Sequence, residues 1–324
     1  MSVQVTEAQV NQFNANVFHL SQQKGSRLKG TVRSDTQRAE SDFYDRIGAV
    51  EAKEKNGRHA DVEYSDTPHS RRKVTMKDFY YADLVDKEDK LRILQDPESE
   101  YSKAAYMTLG RKIDKIVVEG LLGTAYSGKE GATSVILPNA QRIAAFDGTA
   151  TTGRKLNLAT LKAIKKVFTK GEALDNDSDL IYIAVTSEQI ESLLTETQVT
   201  SADFNSIKVL VQGGIDTFFG FKFIRIESLP ASNADFFGTR AATIAFNKAS
   251  GVVGSGSQTL TLASCKSLVA WVPTAAMLAI GEDIKGRVDE LPAKHYAKQV
   301  YASMTMGCAR LEEAKVVECM CIEA

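Results

Sequence analysis

The sequence contains little of what marks several common protein classes. It has only four cysteines, six prolines, four histidines and one tryptophan in 324 residues. The cysteines show no CxxC spacing, which argues against a disulfide framework and against a zinc knuckle. No segment approaches the apolar run of a membrane helix, and the amino-terminal segment lacks the apolar core of a signal peptide. We therefore expect a protein that is made in a cytoplasm and stays soluble.

An excess of charge of either sign is also missing. The 40 lysines and arginines are balanced by 41 aspartates and glutamates, which gives a formal net charge of -1. Because no global positive field draws the chain onto nucleic acid or an anionic membrane, we do not expect a dedicated nucleic-acid binder. With 43% hydrophobic and 25% charged residues, the chain can form one large core or two modest ones.

Motifs for catalysis and metal binding are absent as well. The sequence has no GxSxG nucleophile elbow and no HExxH motif, and its histidines are scattered singly. Asp83, Asp86, Glu88 and Asp89 are interleaved with basic residues and lack the glycine of a calcium loop, so we interpret them as a salt-bridged surface. We predict no catalytic residue, no metal and no cofactor.

One segment is similar to a phosphate-binding loop. Gly123 to Lys129 (GTAYSGK) matches the first seven positions of a P-loop, in which backbone amides and a lysine surround phosphates. However, Glu130 replaces the Ser or Thr that binds magnesium, and the segment follows a predicted helix instead of joining a strand to a helix. We interpret it as a surface turn. A nucleotide-dependent cytoplasmic enzyme is therefore a distant alternative.

The amino-terminal part of the chain has little that could form a core. Residues 1 to about 40 have scattered apolar positions and a basic second half, which is typical of an arm. From Asp42 to about Tyr81, β-prone segments alternate with turn and charge clusters, and Asn56-Gly57 is a strong hairpin signal. We predict a long two-stranded loop here. Arm and loop bury too little apolar area to offset their ordering entropy, so both should order against other copies of the chain.

The rest of the chain predicts an α+β protein. Apolar residues at steps of three and four predict one long amphipathic helix from Glu98 to about Leu122. A second helix is predicted from Leu158 to Phe168, ending at Gly171, and a third at SEQIESLLT. Strands, which do not alternate with helices as βαβ units, are predicted at LIYIAVT, IKVLV, FKFIRI, ATIAF, SLVAWV, QVYASMTM and KVVECMCI.

Two pairs of residues carry finer expectations. Gly110 and Gly120 are poor helix formers inside the long helix, and we predict that it bends there. Cys319 and Cys321 lie two apart in a predicted strand, so both thiols should face one side of a sheet and be buried.

The order of these features resembles the major capsid proteins of tailed bacteriophages, and the resemblance covers nearly the whole chain. The most telling stretches are residues 45–114, which run from the loop into the long helix, and residues 209–230. The second stretch, VLVQGGIDTFFGFKFIRIESLP, carries a Gly-Gly-Ile, Gly-Phe and Ser-Leu-Pro pattern similar to the central-domain hairpin of that family. An encapsulin, the shell protein of a cellular nanocompartment with the same fold, is the alternative.

The resemblance implies the tailed-phage major capsid fold and a division of the chain. The N-terminal arm would span residues 1–40, and the extended β-hairpin loop would span residues 41–95. The peripheral domain, which includes the long spine helix, would comprise residues 96–175 and 284–324. The axial domain would span residues 176–283.

The resemblance also implies the function. The protein would self-assemble into hexamers and pentamers of an icosahedral head that encloses double-stranded DNA, and it would belong to the virion after a stage in the host cytoplasm. Scaffolding, portal and decoration proteins would be further partners, and packaged DNA would touch the inner face without sequence specificity. No membrane partner is implied.

Charged residues in and near the predicted loop are candidates for contacts between subunits. We expect the basic residues to pair with acidic residues of an adjacent subunit, although a solvated charged loop explains the same pattern. The candidates are the basic Arg58, Arg71, Arg72 and Lys73 and the acidic Asp83, Asp86 and Asp89.

Overall fold

The described residues of this computed structural model fall into two compact units. The structure describes residues 22–54, 57, 61–62, 64–85, 98–143, 155–174, 180–195, 217–230, 243–246, 258–261 and 265–322. The first unit comprises the described residues of 1–26, 77–114 and 281–306, and the second comprises those of 27–76, 115–280 and 307–324. The predicted strand IKVLV and Asn56 of the predicted turn lie outside the described residues.

Helices and strands confirm the α+β prediction. Among the described residues there are three α-helices: α1 (Glu98–Leu122), α2 (Leu158–Lys170) and α3 (Ser187–Leu194). The described strands are β1 (Arg33–Thr36), β2 (Ser41–Ile47), β3 (His69–Thr75), β4 (Lys77–Val85), β5 (Ala125–Ser127), β6 (Thr133–Val135), β7 (Arg142–Ile143), β8 (Ile181–Val185), β9 (Thr217–Phe218), β10 (Phe221–Arg225), β11 (Thr243–Phe246), β12 (Gln258–Thr261), β13 (Cys265–Trp271), β14 (Ala276–Leu291), β15 (Ala297–Arg310) and β16 (Val316–Ile322).

The long helix α1 has the bounds that its sequence predicts. Its 25 residues span roughly 38 Å at about 1.5 Å per residue. Leu109, Ile113, Val117 and Leu121 recur along one stripe and are buried, which is why the helix forms in this context.

Gly120 allows α1 to touch strand β15 closely. A Cβ on Gly120 would lie 2.7 Å from both the Cβ and the Sγ of Cys308, nearer than real carbon atoms approach. The glycine is therefore explained by packing, and bending of the helix at this position stays a prediction.

A six-stranded mixed sheet organises the second unit. Its strand order is β7–β16–β13–β8–β10–β9, in which β8 runs parallel to β10 and antiparallel to β13. One face packs against α2 and α3. Leu161, Ile164 and Phe168 of α2 are fully buried against this face, as the periodicity predicts. Burying Phe168 alone stabilises the fold by about 1.5–3 kcal/mol.

Local sequence sets the ends of these two helices. The side chain of Asn157 accepts a hydrogen bond from the Thr160 backbone N–H at 2.8 Å, which caps the start of α2. Gly171 ends the helix as predicted, but Glu172, at φ 48°, takes the left-handed conformation that glycine usually supplies. At the start of α3, the Thr186 N–H donates to the Gln189 side chain at 3.2 Å.

The predicted two-stranded loop is a hairpin of β2 and β3, but it ends earlier than expected. The register pairs Ser41 with Thr75 and Ile47 with His69, and β5 and β6 extend the sheet beyond β3. The next strand, β4, leaves the hairpin and pairs with β15 over nine residues in the first unit. The stretch that looked like one loop therefore contributes to two sheets.

Strands β14 and β15 are the longest described strands, with 16 and 14 residues. In the first unit the sheet order is β14–β15–β4, and Tyr80 of β4, which is 72% exposed, stacks on Tyr301 of β15. In the second unit β1 pairs in parallel with the first residues of β14.

The cysteines are free thiols, and the prediction for two of them is confirmed. Cys319 and Cys321 are buried on one face of β16, with their Sγ atoms 3.8 Å apart. Strand alternation in a packed sheet explains both their common side and their burial.

Candidate assembly surfaces

The connection between β2 and β3 exposes apolar side chains. It comprises residues 48–68, and the Gly48 N–H donates to the Pro68 carbonyl at its base at 2.8 Å. Ile47, Val62 and Tyr64 are 71%, 75% and 90% exposed. Contiguous exposed apolar patches mark interaction surfaces, and these three side chains are candidates for one.

Arg71 lies on the exposed side of the hairpin. Its Nε is 3.0 Å from Asp45 Oδ1 on the paired strand, and its guanidinium lies 5.4 Å from the centre of the Phe43 ring. The Arg71 and Asp45 side chains are 40% and 67% exposed, so this ion pair contributes less than about 1 kcal/mol. Arg71 can exchange Asp45 for another carboxylate at little cost.

Arg72 points to the opposite side and is buried. Its Nη2 is 2.5 Å from Glu313 Oε1, and its Nε donates to the Leu311 carbonyl at 3.4 Å. Arg46 of β2 also donates to the Leu311 carbonyl and lies 3.6 Å from Glu313. Burial lowers the pKa of Arg72, and the charge of Glu313 opposes that shift. These contacts join the hairpin to the segment that follows β15.

Arg310 also lies beside Glu313, and it binds backbone carbonyls at and after the end of α1. Its Nη1 donates to the carbonyls of Leu121 and Gly123 at 2.7 and 2.9 Å, and its Nη2 donates to the Val135 carbonyl at 3.1 Å. The last carbonyls of a helix lack partners within the helix, and a cation stabilises them further through the helix dipole.

The cluster of Arg46, Arg72, Arg310 and Glu313, called the arginine cluster below, carries three positive charges and one negative charge. Arg310 Nε lies 3.7 Å from Glu313 Oε1. Burial lowers the pKa of Arg310 to about 10, while Glu313 raises it. Glu313 is therefore the anion that makes the burial of these guanidiniums tolerable.

The segment that is similar to a P-loop, Gly123–Lys129, contains strand β5 and the first two residues of the turn to β6, so only its end is the surface turn that its sequence predicts. Gly128 and Gly131 take positive φ angles of 95° and 70°, and the Gly131 N–H donates to the Gly128 carbonyl at 3.2 Å. The segment joins a helix to a β-hairpin, which is the wrong context for nucleotide binding. It borders a cleft of about 580 Å³, called the hairpin cleft below, lined by Asp45, His69, Ser70, Arg71, Ser127, Gly128 and Lys129.

Two other kinds of site are absent from the described residues. No group of three or more histidines, cysteines or acidic residues there could hold a metal ion. No helix in the same part of the chain is both long and apolar enough to cross a membrane.

Comparison with known proteins decides the family. A family model described as phage capsid protein matches residues 5–323. This chain belongs to the phage capsid protein family. A comparison with curated protein sequences finds no match.

Solved capsids share the fold of this capsid protein over almost its whole length. The capsid structure of cyanophage P-SCSP1u matches with a TM-score of 0.72 and 14% identity, covering 99% of this chain and 95% of that chain. The acidic stable capsid structure of Helicobacter pylori bacteriophage KHP30 gives 0.67 and 11%, covering 100% and 98%. The capsid of Ralstonia phage GP4 gives 0.66 and 10%, covering 97% and 95%. The predicted tailed-phage capsid fold is confirmed, and the encapsulin alternative is not favoured.

The structure separates the predicted contact residues of this capsid protein. Arg71 is half-buried and Arg72 is buried, whereas the stem of Lys73 packs over Gly131. Asp83 is half-buried in β4 and accepts hydrogen bonds from Tyr81 Oη at 3.3 Å and from the Leu84 N–H at 2.9 Å. Arg58, Asp86 and Asp89 lie outside the described residues. A role of these seven residues between subunits stays a prediction.

Sequence analysis missed a second polar cluster in this capsid protein, where the arm meets α1. Asp114 is 1% exposed and accepts hydrogen bonds from Ser26 Oγ, at 2.6 Å, and from Gln23 Nε2. A Cβ on Gly110 would lie 2.6 Å from Gly25 Cα, so this glycine lets the arm backbone approach the helix. In the sequence, the only signal of this cluster was Gly110, a small residue one helical turn before Asp114.

Replacing Gly110 by alanine should loosen the end of the arm. The new methyl group would strike the backbone at Gly25 and pull Gln23 and Ser26 away from Asp114. We expect limited trypsin digestion at Lys24 and Arg27 to accelerate by about tenfold, because local opening exposes the backbone to the protease. Glu119→Ala, at an exposed position of the same helix, is the control and should digest like the wild type.

Proposed function

We propose that this chain is the major capsid protein of a tailed bacteriophage. It self-assembles into hexamers and pentamers, and these form an icosahedral head around double-stranded DNA. The observation that carries the proposal is the match of a phage capsid family model to residues 5–323.

The extent of the structural matches supports the major role in the shell. Each of the three capsid structures named above is covered to at least 95% of its own length, and this chain is covered to at least 97%. Correspondence over this length to chains of solved capsids is what a shell subunit would show.

The exposed surfaces support assembly through many small contacts. Strand β2 exposes Ile47 at its end, the hairpin connection exposes Val62 and Tyr64, and the sheet of the first unit exposes Tyr80 beside Tyr301. Aromatic side chains of this kind supply much of the energy of protein interfaces. A single copy leaves them in water, whereas repeated contacts in a lattice bury them.

The chain divides into the regions that its resemblance to the family implies. The arm is residues 1–40, the extended loop is 41–95, the peripheral domain is 96–175 with 284–324, and the axial domain is 176–283. The loop reaches over a neighbouring subunit. Arg71, Lys73 and Asp83 have side-chain atoms near the surface for such contacts, and Arg72 supports the hairpin from within its own chain.

The remaining partners follow from the same role. Scaffolding, portal and decoration proteins meet the shell, and packaged DNA touches its inner face without sequence specificity. The net charge of -1 keeps that contact weak, since phosphate binding depends on the number of neutralising cations. The subunit is made in the host cytoplasm and ends in the virion.

Negative-stain electron microscopy of the chain, expressed alone and with its neighbouring genes, tests the proposal. We expect closed particles of uniform size or curved sheets of hexamers. A stable, discrete monomer or dimer in every condition would contradict the proposed function. Arg287→Met, at an exposed position of β14, is a control that should still assemble.

A further inference from the structure

The hairpin cleft has a strand edge as one wall. Strand β3 pairs with β5 only through Arg72 with Ser127 and Lys73 with Tyr126. His69, Ser70 and Arg71 continue past that pairing along the cleft, and no described strand lies beside their second edge. Ser127 Oγ donates to the Arg71 carbonyl at 3.0 Å. The rest of this edge is a template for an added strand.

The charges around the edge select the kind of segment that fits. Among the residues that line the cleft, Arg71 and Lys129 bring two cations, His69 brings an imidazole, and Asp45 brings the one carboxylate. Asp45 and the near-neutral chain disfavour a polyanion such as nucleic acid. A short peptide segment with a few carboxylates matches the cleft better, because its acids can reach the cations and its backbone can pair with β3.

We propose that the hairpin cleft binds residues 61–66 of a second copy of this chain as an added β-strand. The inference rests on the proposed function, because it supplies one contact by which copies associate. Residues 61–66 read DVEYSD and contain three acids and no base. The described residues of this segment form no strand, and Val62 and Tyr64 are 75% and 90% exposed. The segment is therefore available to pair with a strand of another copy.

The geometry of this contact suits a lattice. The cleft and the acidic segment are different surfaces of one chain, so the contact is heterologous and each copy can give one segment and receive another. Main-chain hydrogen bonds provide affinity, and the carboxylates fix the register against Lys129 and Arg71. Arg71 exchanges its exposed pair with Asp45 for the incoming acid.

Isotope-resolved cross-linking tests the proposal. Equal amounts of normal and ¹⁵N-labelled protein are mixed before assembly and treated with a carbodiimide, which joins a lysine amine to a carboxylate that touches it. We expect mixed-isotope peptides that link Lys129 to Asp61, Glu63 or Asp66. Links from Lys129 only within one chain, or to other segments of the second copy, would overturn the proposal.

Charge reversal provides the matched variants. Lys129→Glu should lower the yield of particles by about tenfold or more, because like charges then meet at every copy of the contact. Asp61→Lys combined with Glu63→Lys, two positions on one face of the added strand, should restore much of the yield in the Lys129→Glu background. Lys166→Glu, an equal charge change at an exposed position of α2, should assemble like the wild type.

The outcomes separate this inference from the proposed function. Particles that form without the cross-chain link, or that form equally well with Lys129→Glu, refute the docking and leave the shell role standing. If the wild type forms no particles, the shell role fails, and the docking is judged by the same cross-link in concentrated protein. In concentrated protein, absence of the cross-link refutes the docking and its presence supports the docking.

Discussion

Arg310→Met should destabilise the unassembled subunit by about 3–5 kcal/mol, the usual cost of breaking a buried charge cluster. The substitution removes the N–H groups that donate to the carbonyls of Leu121, Gly123 and Val135, and the loss of such hydrogen bonds in a buried setting is costly. Methionine keeps most of the volume, so the loss reports on the hydrogen bonds and not on a cavity. Urea unfolding followed by circular dichroism measures it.

Two variants test whether the several N–H donors of the guanidinium, and not its charge alone, provide the stability. Arg310→Lys keeps the charge but cannot reach three carbonyls at once, so it should recover less than half of the loss. Arg287→Met removes an arginine that is 71% exposed and should leave the unfolding midpoint unchanged. An Arg310→Met protein within about 1 kcal/mol of the wild type would mean that water replaces these bonds.

Periodicity in the sequence was sufficient to predict the helices. The apolar stripe of α1 and the face of α2 that includes Leu161 and Phe168 are local patterns, and the structure places both helices where those patterns lie. The end of α2 was predicted from Gly171, yet the left-handed residue is Glu172. Helix ends depend on hydrogen bonds that compete within one turn, so their backbone angles are harder to predict than their positions.

Strand alternation was overlooked in the basic run of the hairpin. We treated Arg71, Arg72 and Lys73 as one patch, but successive side chains of a strand point to opposite faces. Arg72 is therefore buried beside Glu313, while Arg71 faces Asp45 across the pair of strands. Applying the period of two to this run would have singled out Arg72 as the inward residue.

The arginine cluster could not be predicted, because its members come together only through the tertiary fold. Arg72 and Glu313 are 241 residues apart, and Arg310 is 189 residues from the Leu121 carbonyl that it binds. No local pattern distinguishes Arg310 from an exposed arginine such as Arg287 of β14. The same holds for Asp114, whose partners lie in the arm.

The two glycines of the long helix are explained by close packing and not by helix propensity. Gly110 and Gly120 looked like weak points of α1, yet each faces a close neighbour that leaves no room for a methyl group. Glycine in a helix costs about 1 kcal/mol relative to alanine, and close packing of neighbouring backbone offsets part of that cost.

Gly307→Ala should be the most damaging glycine substitution in the strands. A Cβ at this position of β15 would lie 2.9 Å from the carbonyl carbon of Thr75, nearer still to its oxygen, and 3.1 Å from Met76 Cα. These are backbone atoms at the end of the hairpin, so no side chain can rotate to make room. We expect a loss of about 3 kcal/mol and a melting temperature lower by roughly 5–10 °C.

Gly286→Ala is the matched control, because it adds the same methyl group to the other long strand. The nearest heavy atom to its new Cβ would be the Tyr301 carbonyl oxygen at 3.9 Å, an ordinary contact. It should unfold at or slightly above the wild-type temperature, since alanine restricts the unfolded chain more than glycine does. Equal melting temperatures for the two variants would show that the corner at Thr75 and Met76 can move. In that case the hairpin would be joined to β15 mainly by the arginine cluster.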